Sequence, residues 1–348
     1  MERLLSFDES RDGEIETRSA SSSVKDDEMK RTDWKEGYEF NKEQMKTWLR
    51  EFWDFQQDPQ QIMGFLEFGS RFYHYSLRNT QLIYQQNPNV TFVQSYDAWK
   101  QMGASVKGQK GIKVYIPKYV TYLILNKKKV QLKYASSEHR AAYKKGEIPS
   151  KKILTYGIGN VYDISQTDFP KEKYPTLFDM GKKSIEHRHW IWVLKAFAEE
   201  ELHCRVTDQD VESISLRGFY RYGERGKEIV LNHLLNDTEK LSTLSHEIGH
   251  AVTFLKEMES AEAELRADMI SMMLQWNMGI EVTDSRKKHF QEHYRKVWNK
   301  FGENASNKMD QLLDQVFQTY KHMNEKLKLY QSMSKKMERK VSVYGKEY

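Results

Sequence analysis

His246-Glu247-Ile248-Gly249-His250 constrains this chain more than any other stretch. On an α-helix, residues four apart lie on one face, about one turn from each other. Both imidazoles can then reach one tetrahedral Zn2+ at about 2.0–2.1 Å. Glu247 stands one step round the helix, beside the open coordination position, where it can take a proton from a water whose pKa zinc lowers toward ~7. The surroundings predict such a helix. Leu241, Leu244, Ile248 and Val252 recur on a buried face, and Asn236 with Glu239 three residues on has the spacing of a capping box. The segment EIVLN before it reads as a strand.

A third ligand must come from His, Asp or Glu, because the chain has one cysteine, Cys204. The next predicted helix, about Ser260 to Met278, carries Glu264-Leu-Arg-Ala-Asp268. Zinc peptidases with a carboxylate ligand often draw it from a glutamate on a following helix. In that arrangement Glu264 is the ligand and Asp268 orients a histidine through its free ring nitrogen. Glu262 and Asp268 are the alternatives, and a helix cannot aim Glu262 and Glu264 at the same spot. Tyr220, Tyr222 and His233 are candidates for stabilising an oxyanion. GKEIVLN is a candidate edge strand for binding extended peptide.

The single cysteine excludes an intrachain disulfide and fits a reducing cytosol. A mean hydropathy of −0.81 with no long apolar run argues against a membrane span, and the first thirty residues lack the apolar core of a signal peptide. The expected setting is cytoplasmic. Charge is unevenly spread. From Lys100 to Lys152 there are 14 Lys/Arg against two acids, about +12 in a chain of net +5. A basic stretch in an otherwise acidic chain points to a polyanionic partner for that stretch alone.

Apolar periodicity and turn residues predict an α+β organisation in segments. Residues 1–38 are polar and read as a disordered leader. Residues 39–168 read as one α+β domain. It would hold helices from Asn41, Gln60 and Ser76, the last stopped at Asn87-Pro88. A strand at Val90 to Gln94 and a helical turn at Asp97 to Met102 follow, then long Val/Ile/Tyr-rich strands, with ILTYGIGNVYDISQT as a strand pair. Residues 169–183 read as a linker. Residues 184–284 read as a mostly helical metallopeptidase domain with a small β-sheet, including a hairpin turned at Gly223 to Gly226. Residues 285–348 read as a helical extension of two or three long helices.

The stretch Tyr75 to Lys118 resembles the N-terminal domain of ArdC-type antirestriction proteins. The features that carry it are Ser76-Leu-Arg-Asn79, the Asn87-Pro88 stop, Trp99 before Gly103, and Ser105-Val-Lys107-Gly108-Gln-Lys110-Gly111 before a strand. GNVYDISQT looks like the end of the same domain. The loop Lys107 to Gly111 is one residue shorter than family members often show, with Gln for Glu. The resemblance implies a single-stranded-DNA-binding module, with Arg78, Asn79, Trp99, Lys107, Lys110 and Lys113 as its contact candidates. Basic grooves with aromatic platforms suit such a ligand, and Tyr73, Tyr75, Tyr84 and Tyr115 are further aromatic candidates. The second half is similar to the ImmA/IrrE group of zinc endopeptidases through Ile229-Val-Leu-Asn232, His246 to His250 and Glu264 through Asp268. Together these imply a zinc endopeptidase with a single-stranded-DNA-binding module, from a mobile element or phage, acting in antirestriction or on a regulator. The alternative is a non-catalytic, DNA-protecting protein whose metal site is structural.

Overall fold

The computed structural model describes residues 23–125, 128–170, 184–211, 216–224, 226–255 and 258–344, with side chains from 37 to 331 apart from 184–186. The fold is α+β. In chain order it runs α1 (Ser23–Phe55), α2 (Pro59–Arg71), α3 (Leu77–Gln86), β1 (Val93–Ser95), α4 (Tyr96–Gln101), β2 (Ile112–Leu125), β3 (Lys128–Gln131), α5 (Ser137–Lys144) and β4 (Ser150–Asp163). There follow α6 (Ser184–Glu200), β5 (Cys204–Gln209), β6 (Gly218–Gly223), β7 (Gly226–Asn232), α7 (Asp237–Thr253), α8 (Ser260–Asn277), α9 (Asp284–Phe301) and α10 (Ala305–Tyr344).

Helix starts follow the local chemistry. Asp58 accepts from Gln60 N with Pro59 in the first turn, and Ser76 accepts from Asn79 N. Asn236 and Glu239 close the expected capping box on α7, each side chain bonding the other's backbone N–H. The leader expected through residue 38 differs: helix begins at Ser23, while residues 1–22, like 171–183 of the expected linker, lie outside the described residues.

The chain divides into two compact units. Of the described residues, one comprises Leu49–Thr91 and those from Pro170 on; the other comprises those from Ser23 to Trp48 and Phe92–Phe169. The second unit ends where the domain expected over 39–168 ends, but α2 and α3 group with the C-terminal half. The reason is apolar area. Phe65, Leu66 and Leu77 are buried in one continuous core with Leu194, Ile248, Met269, Tyr294 and Phe317. The expected extension from 285 joins the same core through Phe290, Tyr294, Leu313 and Tyr320, so it is part of this unit. It consists of two helices joined by a single 3-10 turn.

In the first unit a three-stranded sheet has the order β5-β7-β6. β5 and β7 are parallel, and β6 and β7 antiparallel with Gly223 opposite Gly226. The hairpin stands as expected, but GKEIVLN is the central strand and β6 is an edge. β7 is flanked on both sides because its Ile229, Val230 and Leu231 are all fully buried, which suits a central strand and not an edge.

The second unit is built on an antiparallel sheet of order β1-β4-β2-β3. ILTYGIGNVYDISQT does not fold back as a strand pair. Its first eleven residues belong to one long strand, β4, paired with β2 from Ile112 opposite Val161 to Leu123 opposite Ser150. Trp99 anchors this unit. It is 1% exposed, packs edge-on to Phe92, and donates from Nε1 to Tyr162 O at 2.8 Å.

One glycine sets how closely two helices of the first unit approach. A Cβ at Gly249 would stand 2.7 Å from Ala267 O and 2.8 Å from Ala267 Cα, so α7 and α8 cross backbone to backbone there. Gly249→Ala must push α8 outward. We expect it to destabilise the protein by about 1–3 kcal/mol in urea unfolding, despite the better helix propensity of alanine. Unchanged stability would show that the crossing tolerates the extra methyl.

Candidate metal centre

α7 presents His246 and His250 on one face, their rings 4.7 Å apart at 81°. α8, brought close by Gly249, adds Glu264. His246 Nε2 and His250 Nε2 are 3.2 Å apart, and Glu264 Oε2 lies 3.3 Å from the first and 3.5 Å from the second. Donors on a tetrahedron with bonds of about 2.0–2.1 Å are separated by roughly 3.3 Å, so all three edges match a single first-row cation. The residues fit a metal, and three protein donors leave a fourth position for water or substrate.

The three candidates for a third ligand have different surroundings. Glu262 points elsewhere and is held by Arg266, with Nη2 to Oε1 at 2.7 Å, while Arg266 also donates to Gln315 at 2.6 Å. Asp268, fully buried, takes the orienting position: Oδ1 lies 3.3 Å from His246 Nδ1. A cation on Nε2 of neutral His246 requires the ring proton on Nδ1, and Asp268 is the acceptor for it. Arg286 Nη1 lies 2.8 Å from the same oxygen and 2.9 Å from His246 Nδ1. A guanidinium can only donate, so with the proton on His246 Nδ1 the hydrogen bond of Arg286 is the one to Asp268, where it compensates the buried carboxylate.

The electrostatics follow from this geometry. Hydrogen bonds from His246 and His250 hold the Glu264 carboxyl far below the usual range. Burial alone would raise Asp268, but His246, His289 and Arg286 outweigh it and the shift is strongly down. Burial likewise works against a charged His246, yet Asp268 and Glu264 turn its net shift upward. Glu247 is 6% exposed, and burial pushes its pKa up despite the neighbouring histidines. A raised carboxyl pKa brings it closer to the working range of a proton carrier.

These groups floor a cleft of about 700 Å³. One wall is the edge strand β6 and the residue before it, with Arg217, Gly218, Phe219 and Tyr220; Phe254, at the end of α7, closes one side and Arg286 and His289 of α9 another. Of the oxyanion candidates, Tyr220 lines the cleft, but its hydroxyl is buried with no hydrogen-bond partner among the described residues, and its pKa is pushed up to about 12, chiefly by burial. Tyr222 is exposed and packs against Phe254, and His233 faces the carbonyl of Gln209. The groups the sequence reading missed are Arg286 and His289. His289 Nδ1 is 2.7 Å from Asp268 Oδ2, and its Nε2 is 4.0 Å from Glu264 Oε2. Their signal was present as histidines at 289 and 293 after an arginine, but nothing in the spacing ties α9 to α7.

The nucleic-acid candidates do not form one set. Arg78 and Asn79 belong to the first unit and Trp99, Lys107, Lys110 and Lys113 to the second. Trp99 is a core residue and cannot stack on a base. Tyr73 is buried, and Tyr84 lies against Phe65 and Phe68. Lys107 and Lys110 are exposed beside Gly108, whose φ of +79° makes the turn. Exposed aromatics of this unit include Tyr119 and Tyr134, both 73% exposed, Phe40 at 69%, Tyr96 at 53% and Tyr156 at 52%.

Comparison with known proteins adds limited context. No family model matches the chain. An uncharacterized protein of Bacillus anthracis, pXO2-81, is 26% identical over 302 residues, 81% of this chain and 50% of that protein. The chain thus spans about half the length of that relative. A 36-residue segment, 10% of this chain, is 50% identical to 23% of an uncharacterized immunity region protein 2 of Bacillus phage phi105. Among solved structures, antirestriction ArdC protein from the R388 plasmid is similar in two forms. The metal-free form gives a TM-score of 0.39, at 14% identity, over 74% of this chain and 85% of that one. The Mn(II)-bound form gives 0.38, at 14% identity, over 77% and 97%. None of these likenesses assigns an activity. Among the described residues no helix is long and apolar enough to cross a membrane.

If Glu264 is the third ligand, Glu264→Ala should lower bound zinc from about one per chain to near zero by elemental analysis, while Glu262→Ala leaves it in place. Zinc lost in Glu262→Ala and kept in Glu264→Ala would reverse the assignment.

Proposed function

We propose that the chain is a zinc-dependent endopeptidase. The observation that carries this reading is the triad of donor separations at His246, His250 and Glu264, all of tetrahedral-edge length, on the floor of an open cleft that Glu247 also lines. When bound there, zinc supplies a Lewis acid and lowers the pKa of water to ~7. Glu247 takes the proton of the attacking water on its carboxylate and passes it to the leaving amine. Asp268 keeps His246 in the tautomer that ligates. Substrate is held as an extended peptide along β6, whose outer edge borders the cleft, so strand addition shifts from the expected β7 to its neighbour.

The second unit is proposed to bind single-stranded DNA through the β2–β4 ribbon. Tyr119 stands opposite Leu154 and Pro117 opposite Tyr156, so both tyrosines project from one face, and Lys152, opposite Thr121, shares it. Each stacked base contributes ~1–3 kcal/mol, and the lysines add a salt-dependent attraction to phosphate. Tyr119 and Tyr156 thus take the role expected of Trp99. A setting on a mobile genetic element, with a host regulator or defence protein as substrate, is the biological reading; the segment shared with the phage phi105 protein favours it.

Glu247→Gln decides between this peptidase and a protein whose metal is structural. It should retain zinc and abolish cleavage of a peptide library read by mass spectrometry, a loss of at least about 10²-fold. Cleavage at the wild-type rate would sink the mechanism. For the second unit, the double variant Tyr119→Ala/Tyr156→Ala should weaken binding of a labelled oligo-dT at least about tenfold by fluorescence anisotropy. Equal affinity would remove the ribbon from the interface.

A further inference from the structure

Beside the first centre the fold repeats its pattern. Asp268, His289 and His293 bring ligand atoms within 4.8 Å of one another. His289 and His293 are four residues apart on α9, as His246 and His250 are on α7. Their rings lie 4.3 Å apart at 64°, against 4.7 Å and 81° for the first pair. In both clusters the third member is a carboxylate from α8. Asp268 divides its two oxygens: Oδ1 faces His246 and Arg286, and Oδ2 faces His289 Nδ1 at 2.7 Å.

We propose that Asp268, His289 and His293 form a second divalent-cation site. Two imidazoles and one carboxylate suit zinc, cobalt or nickel and disfavour magnesium or calcium. The tautomer of His293 is already set for it. Its Nδ1 lies 3.1 Å from the backbone carbonyl of His289, which can only accept, so Nδ1 carries the proton and Nε2 is left with a lone pair. At His289 the cation displaces the proton now shared with Asp268, and the 2.7 Å separation opens toward roughly 3.3 Å, the edge for bonds of about 2.0–2.1 Å. Arg286 already compensates part of the Asp268 charge, whereas among the described residues the ion pairs of Glu264 are with histidines, His246, His250 and His289. The second site is therefore the weaker of the two.

Filling it has a consequence for the cleft, and only this consequence rests on the peptidase reading. A cation on Nδ1 of neutral His289 puts the remaining ring proton on Nε2, which lies 4.0 Å from Glu264 Oε2. His289 then becomes a fixed hydrogen-bond donor facing the first centre. The second cation is a positioning element for the first.

The test is a titration of the metal-stripped full chain with Zn2+ by calorimetry, with bound zinc counted by elemental analysis. His250→Ala and His293→Ala are run beside wild type, and His293→Gln replaces the latter if it fails to fold. Two zinc per chain, with the weaker lost in His293→Ala and the tighter lost in His250→Ala, is the expected result. A single zinc at saturation, kept in His293→Ala and lost in His250→Ala, overturns the second site and leaves the first intact. A single zinc lost in His293→Ala and kept in His250→Ala supports the second site and removes the peptidase centre. Uptake that neither variant changes overturns both.

Discussion

The candidate metal centre depends on a contact that contains none of its proposed ligands, the crossing of α7 over α8 at Gly249. Hydrogen in place of a side chain lets the Ala267 backbone approach to a distance where a Cβ would collide with it. A ligand set drawn from two helices needs those helices nearly touching, since a glutamate side chain reaches only a few ångströms. Glu264 lies one turn before Ala267 on α8, and Asp268 directly after it. The same close approach thus delivers the third donor and its orienting carboxylate together. Buried Leu244, Ile248, Leu265 and Met269 surround the crossing and resist its opening.

Asp268 is the second constraint. A fully buried carboxylate is expensive unless it is paired, and here it is paired threefold, to His246, Arg286 and His289. The low pKa of Asp268 and the raised pKa of His246 are two views of one interaction. Because α9 supplies both Arg286 and His289, the C-terminal helices are part of the centre's architecture. This explains why the expected division at residue 284 cuts through a single core.

The two units solve different problems. The first buries a continuous apolar interior and brings His246, Glu247, His250 and Glu264 together in one cleft. The second holds the basic stretch Lys100 to Lys152, and its long β2–β4 ribbon, which carries Lys113, Lys118, Lys151 and Lys152, keeps Tyr119 and Tyr156 in solvent.

The amino-acid sequence by itself determined the local features, because they depend on neighbours within one or two turns. The helix of His246, Glu247 and His250, the Asn236–Glu239 cap and the β6–β7 hairpin could be read directly. The choice of Glu264 over Glu262 could be framed but not decided, since it depends on which face of α8 meets α7 and on Arg266 claiming the other carboxylate. Only the tertiary structure decided the rest. It put β7 inside its sheet and β6 at the edge, buried Trp99 on the carbonyl of Tyr162, and exposed Tyr119 and Tyr156 instead. It took α2 and α3 from the expected N-terminal domain, and brought His289 to Asp268 across 21 residues. Periodicity states which face of an element is apolar. Which partner covers that face is set by the packing of distant elements, and spacing along the chain carries no record of it.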